Sequence, residues 1–360
     1  MFNPDYPFND LPKLPALINY DSVKILKALT WAKAAIGRLD VYTKFLPDKE
    51  MFLTHFAIKE SVESSLIESI DTDVETIYEA SRIEEKYMNK DQKEVMYYKD
   101  ALILWAQLVK KQWFLAQNDY VKIWNILSQE RGQIRTWGLV NIKRNHTEVL
   151  YTPPAWKDNI ERLLANLENY FNNMIEHDID SLIKMALVHY QFEAIHPFYD
   201  WNWRTWRILM VLHLVLHWNL EYPLIYLSWY INKHRGTYYE LLRNVTEKWE
   251  WEDYIVFMLK WIESQALKTI NDIEKIRELK THFVKILEND WVIKKVFAEP
   301  LSSILISKPK LIREDLSEFW SFNTLTTYLN RLISLWILKE SWTIWKFKIY
   351  TNVKFIELTK

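Results

Sequence analysis

Apolar residues recur at helical spacing through most of the chain. In residues 22–47, Val23, Ile25, Leu26, Leu29, Ala32, Ile36 and Leu39 share one face of a 3.6-residue repeat, which predicts an amphipathic helix. Residues 50–70, 74–88, 92–117 and 119–129 carry similar patterns, and Asp71 and Asp73 suit an N-cap ahead of 74–88. The period changes over 131–152. There Ile134, Leu139, Val140, Ile142, Val149 and Leu150 favour strands, and KRNHTE reads as the turn between them. Pro153 and Pro154 end this expected β-hairpin. Helices resume over 157–176, 179–194, 204–218, 236–247 and 251–276.

Beyond about 280 the organisation shifts. Residues 281–305 are apolar and predicted helical, 311–319 and 323–335 suggest two short helices, and ILKESWTIWKFKIYTNV alternates like two joined strands. Helix, helix, helix, hairpin is the order of a winged-helix module. At 360 residues the chain exceeds one ordinary core, and two or three units are expected. A hydrophobic fraction of 49% and a charged fraction of 26% fit a globular chain. The net charge of -1 supplies no global field toward nucleic acid or anionic membrane. With no cysteine, disulfides, thiolate metal sites and cysteine nucleophiles are excluded. The N-terminus lacks the apolar core of a signal peptide, and the stretch from Ile208 to Leu220 is too short to span a bilayer. No membrane association and a cytoplasmic location are the simplest expectation.

One pair of counts is abnormal: 4 glycines against 19 tryptophans. Together they come near the glycine content of an ordinary chain, roughly 7%. Several tryptophans, among them Trp218, Trp336 and Trp342, stand where a turn or helix end favours glycine. A gene whose UGA codons mean glycine, translated as if they meant tryptophan, produces this pattern. Genuine tryptophan enrichment is the competing explanation, and some residues, such as Trp251, are read as real tryptophan.

The candidate chemistry lies in Ile195-His196-Pro197-Phe198-Tyr199-Asp200-Trp201-Asn202-Trp203-Arg204-Thr205-Trp206-Arg207. A histidine before a loop can accept a proton near neutral pH. An acidic residue four positions on can hold Mg2+ against a polyphosphate. A turn entering a helix offers backbone N–H groups to phosphate. Two arginines three apart share a helix face and can clamp phosphate oxygens. Together these parts suit phosphoryl or nucleotidyl transfer.

From His196 onward this segment resembles the Fic family signature HPFxDGNGRTGR at every specified position except Trp201, Trp203 and Trp206, each of which stands at a signature glycine. The resemblance implies a mainly α fold, a Fic-type helical bundle with a β-hairpin flap, and a protein adenylyltransferase that moves AMP from ATP, with Mg2+, to a Ser, Thr or Tyr hydroxyl. It implies that His196 is the general base, that Phe198 anchors the loop and that Asp200 holds the metal. Trp201, Asn202, Trp203, Arg204, Trp206 and Arg207 would line the nucleotide phosphates, with Tyr239 a further nucleotide contact. Residues 60–70, ESVESSLIESI, resemble the family's inhibitory helix through Ser64 and Glu68, with Ser69 departing at the last position. The resemblance implies that Glu68 pairs with Arg207 and blocks the γ-phosphate.

The hairpin at 131–152 fits the family's flap, which holds a protein substrate by β-augmentation. The segments Pro223–Ser228, Tyr238–Leu242 and Lys248–Trp251 also resemble the family, Trp249 again at a glycine position. Three regions are expected: an N-terminal helical region with the inhibitory helix at 1–100, the catalytic core at 101–275 and a winged-helix-like domain at 280–360. The last is mildly basic, and a DNA contact through Thr324, Thr327 and Arg331 stays open, as does a homodimer. Two other functions also stay open: an inactive Fic-fold regulatory protein, to which large side chains at 201, 203 and 206 point, and removal of AMP in the reverse direction.

Overall fold

A computed structural model describes residues 2–67, 72–136, 140–143, 148–172, 178–317, 320–344 and 347–359. In chain order the helices and strands are α1 (Val23–Lys44), α2 (Lys49–Ile67), α3 (Val74–Ala80), α4 (Lys90–Gln112), α5 (Gln117–Ser128), β1 (Ile142–Lys143), β2 (Val149–Tyr151), α6 (Lys157–Asn172), α7 (Ser181–Ile195) and α8 (Asn202–Leu216). There follow α9 (Ser228–Lys233), α10 (Arg235–Lys248), α11 (Trp251–Glu288), α12 (Ala298–Ser307), β3 (Lys310–Leu311), α13 (Phe322–Ser334), β4 (Leu338–Ile344), β5 (Phe347–Asn352) and α14 (Val353–Thr359). The protein is mainly α. Its compact units are Met1–Pro47 with Tyr97–Leu267, and Asp48–Met96 with Lys268–Lys360.

The first unit is built around α7 and α8. Nearly every residue of both helices is buried, polar ones included. A helix apolar on all sides belongs in an interior. Helices α1, α5 and α6 pack around this pair. Amphipathic α6 buries Ile160, Leu163, Leu164, Leu167 and Phe171 at helical spacing. β1 and β2 pair antiparallel, Ile142 opposite Tyr151, with an irregularity after Ile142. The flap tip at 144–147, like 137–139, lies outside the described residues.

In the second unit, Asp73 caps α3 by accepting from Thr76 N at 2.8 Å. Its partner Asp71 lies outside the described residues. α3 ends at Ala80, short of the predicted 88, at the turn Ser81–Ile83. The predicted break between 276 and 281 is absent: α11 runs through to Glu288, because Arg277, Glu278, Leu279 and Lys280 are strong helix formers. Where a helix at 311–319 is expected, the described residues instead place Leu311 in β3 and form a 3-10 turn at Arg313–Leu316. β3, β5 and β4 form an antiparallel sheet in that order, beside α13. A buried ion pair, Lys59 to Asp272 at 2.7 Å, and the His55–Tyr78 hydrogen bond at 2.6 Å lie inside this unit.

Among the described residues, eight that are not glycine have left-handed φ, and six of them are tryptophan: Trp113, Trp156, Trp201, Trp218, Trp249 and Trp336. All six flank helix ends. A side chain in that region costs roughly 1–2 kcal/mol, so six cost on the order of 10 kcal/mol, comparable to a domain's whole stability. Trp342 differs from the expectation. It lies inside β4 at an irregularity of the β4–β5 register, not at a turn.

Candidate active site

The candidate chemistry gathers at the junction of α7 and α8. α7 stops because Pro197 cannot continue it, and His196 closes the helix in a left-handed conformation, φ 50°. Its N–H still reaches the Phe192 carbonyl at 2.9 Å. The imidazole is partly buried, and its Nδ1 has no hydrogen-bond partner among the described residues. Burial and the neighbouring Arg135 charge, opposed by the ring's interaction with the Glu193 backbone carbonyl, leave its pKa lowered to about 4. The ring is therefore neutral at physiological pH and holds a lone pair that can take a proton.

Three side chains fix the loop that follows. Asn202 makes both of its amide bonds to one residue, accepting from Phe198 N at 2.9 Å and donating to Phe198 O at 2.8 Å. Its side chain thus braces the loop instead of reaching toward a phosphate. Phe198 is buried and stacks on Trp124 of α5, centroids 5.4 Å apart at 18°. The Trp124 indole donates to the Asp200 carbonyl at 2.8 Å. Gly132 leaves room for this ring: a Cβ there would lie 2.0 Å from it.

Arg135, from the segment entering the flap, is fully buried. Its guanidinium donates to the carbonyls of His196 at 2.7 Å, Ile195 at 2.8 Å and Pro154 at 2.6 Å, and its own N–H bonds the Pro197 carbonyl at 2.9 Å. Tyr151 of β2 adds a hydrogen bond to the Ala194 carbonyl at 2.9 Å. Sequence reasoning missed Arg135 and Trp124. Arg135 sits in a stretch legible only as a hairpin, and nothing in a lone arginine tells that its partners are carbonyls.

Asp200 is exposed, one carboxylate oxygen accepting from Trp201 N at 2.7 Å. No cluster of three metal-ligating side chains exists among the described residues. A single exposed carboxylate suits Mg2+ all the same, since that ion takes one or two carboxylates plus substrate phosphates. α8 begins with Trp201 as a left-handed N-cap that offers no side-chain bond. The first helical hydrogen bond is Thr205 N to Trp201 O at 3.0 Å, so the amides of 202, 203 and 204 precede it, at the positive end of the helix dipole.

Arg204 and Arg207 follow on α8, both buried. The Trp201 indole lies over the Arg204 guanidinium at 4.3 Å, and Trp203 over that of Arg207 at 5.6 Å. Arg207 also donates to Trp203 O and to Ser228 Oγ, each at 3.1 Å. Tyr239 is half-exposed and meets Trp203 edge-on at 6.0 Å. Trp206 departs from its expected place on the nucleotide side. Its ring is buried against Phe192 and its indole presses on His189 Nδ1, in the core.

The decisive comparison is with family models. Residues 26–104 match the Fic/DOC family N-terminal model and residues 113–214 the Fic/DOC family model, together about half of the chain. This chain belongs to the Fic/DOC family. Solved structures of other Fic proteins share its fold. A Fic family protein from Desulfovibrio desulfuricans superposes with a TM-score of 0.60 at 18% identity, covering 94% of this chain and 98% of that one. Fic-1 from C. elegans gives 0.51 at 18% identity, covering 69% and 73%. A Fic domain containing signaling protein from Bacteroides thetaiotaomicron gives 0.53 at 14%, covering 68% and 94%. At such identities the likeness is one of fold.

The inhibitory and C-terminal expectations fare unevenly. Ser64 is fully buried in α2, its hydroxyl without a hydrogen-bond partner among the described residues, while Glu68 lies outside them. On α13, Arg331 is held by Asp290 at 2.7 Å, and the Thr327 hydroxyl is turned back on Asn323 O at 3.1 Å. No described helix is long and apolar enough to cross a membrane.

Proposed function

We propose that this Fic protein transfers AMP from ATP to a Ser, Thr or Tyr hydroxyl of a protein. The hydroxyl oxygen attacks the α-phosphorus, His196 takes the hydroxyl proton, and pyrophosphate leaves. One observation carries this reading: a neutral imidazole ends α7, five residues before a helix N-terminus that holds Arg204 and Arg207 in its first two turns. The α8 amides and the two guanidinium groups would neutralise charge building on the phosphates. Asp200 would hold Mg2+, which shields the polyphosphate when bound. The flap strands, tied to the end of α7 by Arg135 and Tyr151, would present an extended target segment beside His196. Glu68 would restrain the enzyme by occupying Arg207.

A specific observation favours the alternative of an inactive Fic-fold regulator: the indoles of Trp201 and Trp203 lie on the two guanidinium groups that should meet phosphate. Labelled ATP with Mg2+ and the purified protein decides between them. Label on the protein that falls by about 10²–10⁴-fold in His196→Ala supports the transferase, following the usual worth of a general base. Equal labelling of both proteins removes His196 from the reaction.

A further inference from the structure

We infer that the residue at positions 113, 156, 201, 218, 249 and 336 is glycine in the protein as its own ribosomes make it, because UGA in this gene is read as glycine. Residue identity here is argued from backbone geometry and does not depend on the proposed reaction.

Tryptophan is 19 of 360 residues, yet among the described residues it takes six of the eight left-handed positions held by residues other than glycine. No other residue type does so more than once: Gln129 and His196 are the remaining two. A bulky side chain is the least suited to that region and glycine the best. The three described glycines show the reverse. None has left-handed φ, and Gly37 and Gly236 lie within α1 and α10 with open space around them. Helix interiors are where glycine is weakest. The usage of the two residues is thus inverted.

Two of the six sit in a motif that specifies glycine by its hydrogen bonds. After α8, Asn219 N reaches Leu214 O at 2.9 Å and Trp218 N reaches Val215 O at 3.2 Å. After α13, Ile337 N reaches Leu332 O at 3.1 Å and Trp336 N reaches Ile333 O at 3.0 Å. These paired bonds make the Schellman helix ending, whose left-handed residue is usually glycine. The side chains placed there contribute little interior: Trp218 is 71% exposed and Trp336 83%.

Two other tryptophans behave as tryptophan should. Trp124 and Trp261 are buried, and each indole donates to a carbonyl, of Asp200 at 2.8 Å and of Leu227 at 2.6 Å. The inference therefore divides the set. At 201 it also changes the chemistry, if the proposed reaction holds. Without that indole the Arg204 guanidinium loses the ring that lies on it, and the amides of 202–204 become approachable.

Codons and peptides test the division directly. The gene should carry UGA at the six positions and UGG at 124 and 261. Tandem mass spectrometry of the protein isolated from its source cells should read glycine at the six and tryptophan at the two. UGG at the six positions, or tryptophan in those peptides, overturns the inference whatever the enzyme does. For recombinant protein, the six-fold Trp→Gly variant should melt higher than the all-tryptophan chain, and a lower melting temperature counts against it. ATP binding, measured on the same two proteins, reads the proposed reaction separately.

Discussion

Trp201 and Trp336 share a backbone conformation, φ 63° and 58°, but not a task. Trp201 opens α8, beside two buried arginines and the loop that carries His196. Trp336 follows α13, in a helix ending with no candidate chemistry, its ring out in solvent. Decay of an enzyme would spoil the first place and leave the second alone. A change in codon meaning affects both alike. That both show the same misfit makes the tryptophans in the signature part of a chain-wide pattern, so they say little about whether the site works.

The largest effect expected from breaking this symmetry is at the signature. Trp201→Gly with Trp203→Gly removes the rings that lie on the two guanidinium groups, and a charge-assisted bond regained to phosphate is worth about 1.5–3 kcal/mol. Nucleotide affinity, read by calorimetry with Mg-ATP, should rise at least tenfold and on the order of a hundredfold. Trp336→Gly in an otherwise unaltered chain should leave that affinity where it was and raise Tm by a few degrees, for about 1 kcal/mol of strain relieved. Should both variants act only on stability, the α8 mouth is not a phosphate site.

Next in size is the brake. In the variant that binds ATP, Glu68→Gly should increase self-labelling roughly tenfold, the scale of one charge pair with Arg207 exchanged for one with the γ-phosphate. Unchanged labelling by a folded, active protein removes Glu68 from the regulation.

How much of this was readable from residues alone follows from where each signal resides. The α7–α8 core declared itself, because two largely apolar runs with few polar interruptions have few other homes. The order His196, Asp200, Arg204, Arg207 was equally legible, since fixed spacing in a loop and one helix carries geometry with it. Long-range partners were not. Arg135 reaches 61 positions to the His196 carbonyl, and Trp124 reaches 76 to that of Asp200. No local period encodes such pairs. Asn202 was assigned to phosphate by its place in the signature, yet its side chain is used on the Phe198 backbone. Helix ends were the least legible, and for a physical reason: the residue type that marks them is the one whose letter is in question.

Arg135 offers a finer test, because it both positions His196 and charges its surroundings. With the imidazole pKa lowered to about 4, kcat/KM should be lost only as pH falls through that value, where the base becomes protonated. Arg135→Gln removes a positive charge that disfavours imidazolium, so the acid limb should move upward. Burial, the larger cause, remains, and the limb stays below the ordinary histidine range near 6.5. Arg135→Lys keeps the charge and loses the fork that grips three carbonyls. Its limb should stay near the parent's while kcat falls. A limb that does not move in Arg135→Gln would show that the guanidinium acts on the loop alone.

The smallest effect should come from Trp124→Phe, and it bears on the same contrast between misplaced and well-placed tryptophan. Phenylalanine preserves stacking on Phe198 but cannot donate to the Asp200 carbonyl. The loss should be about 1 kcal/mol of stability, the net worth of one neutral hydrogen bond. Because that carbonyl belongs to the residue assigned to Mg2+, the Mg2+ concentration for half-maximal activity should rise a few-fold while KM for ATP at saturating metal holds. Trp124→Gly should be far worse, by about 3–5 kcal/mol, since it empties the space beside Gly132 and Phe198. Glycine is thus expected to stabilise the chain at position 336 and to damage it at position 124, and the backbone and the indole N–H, not the residue's name, set the sign.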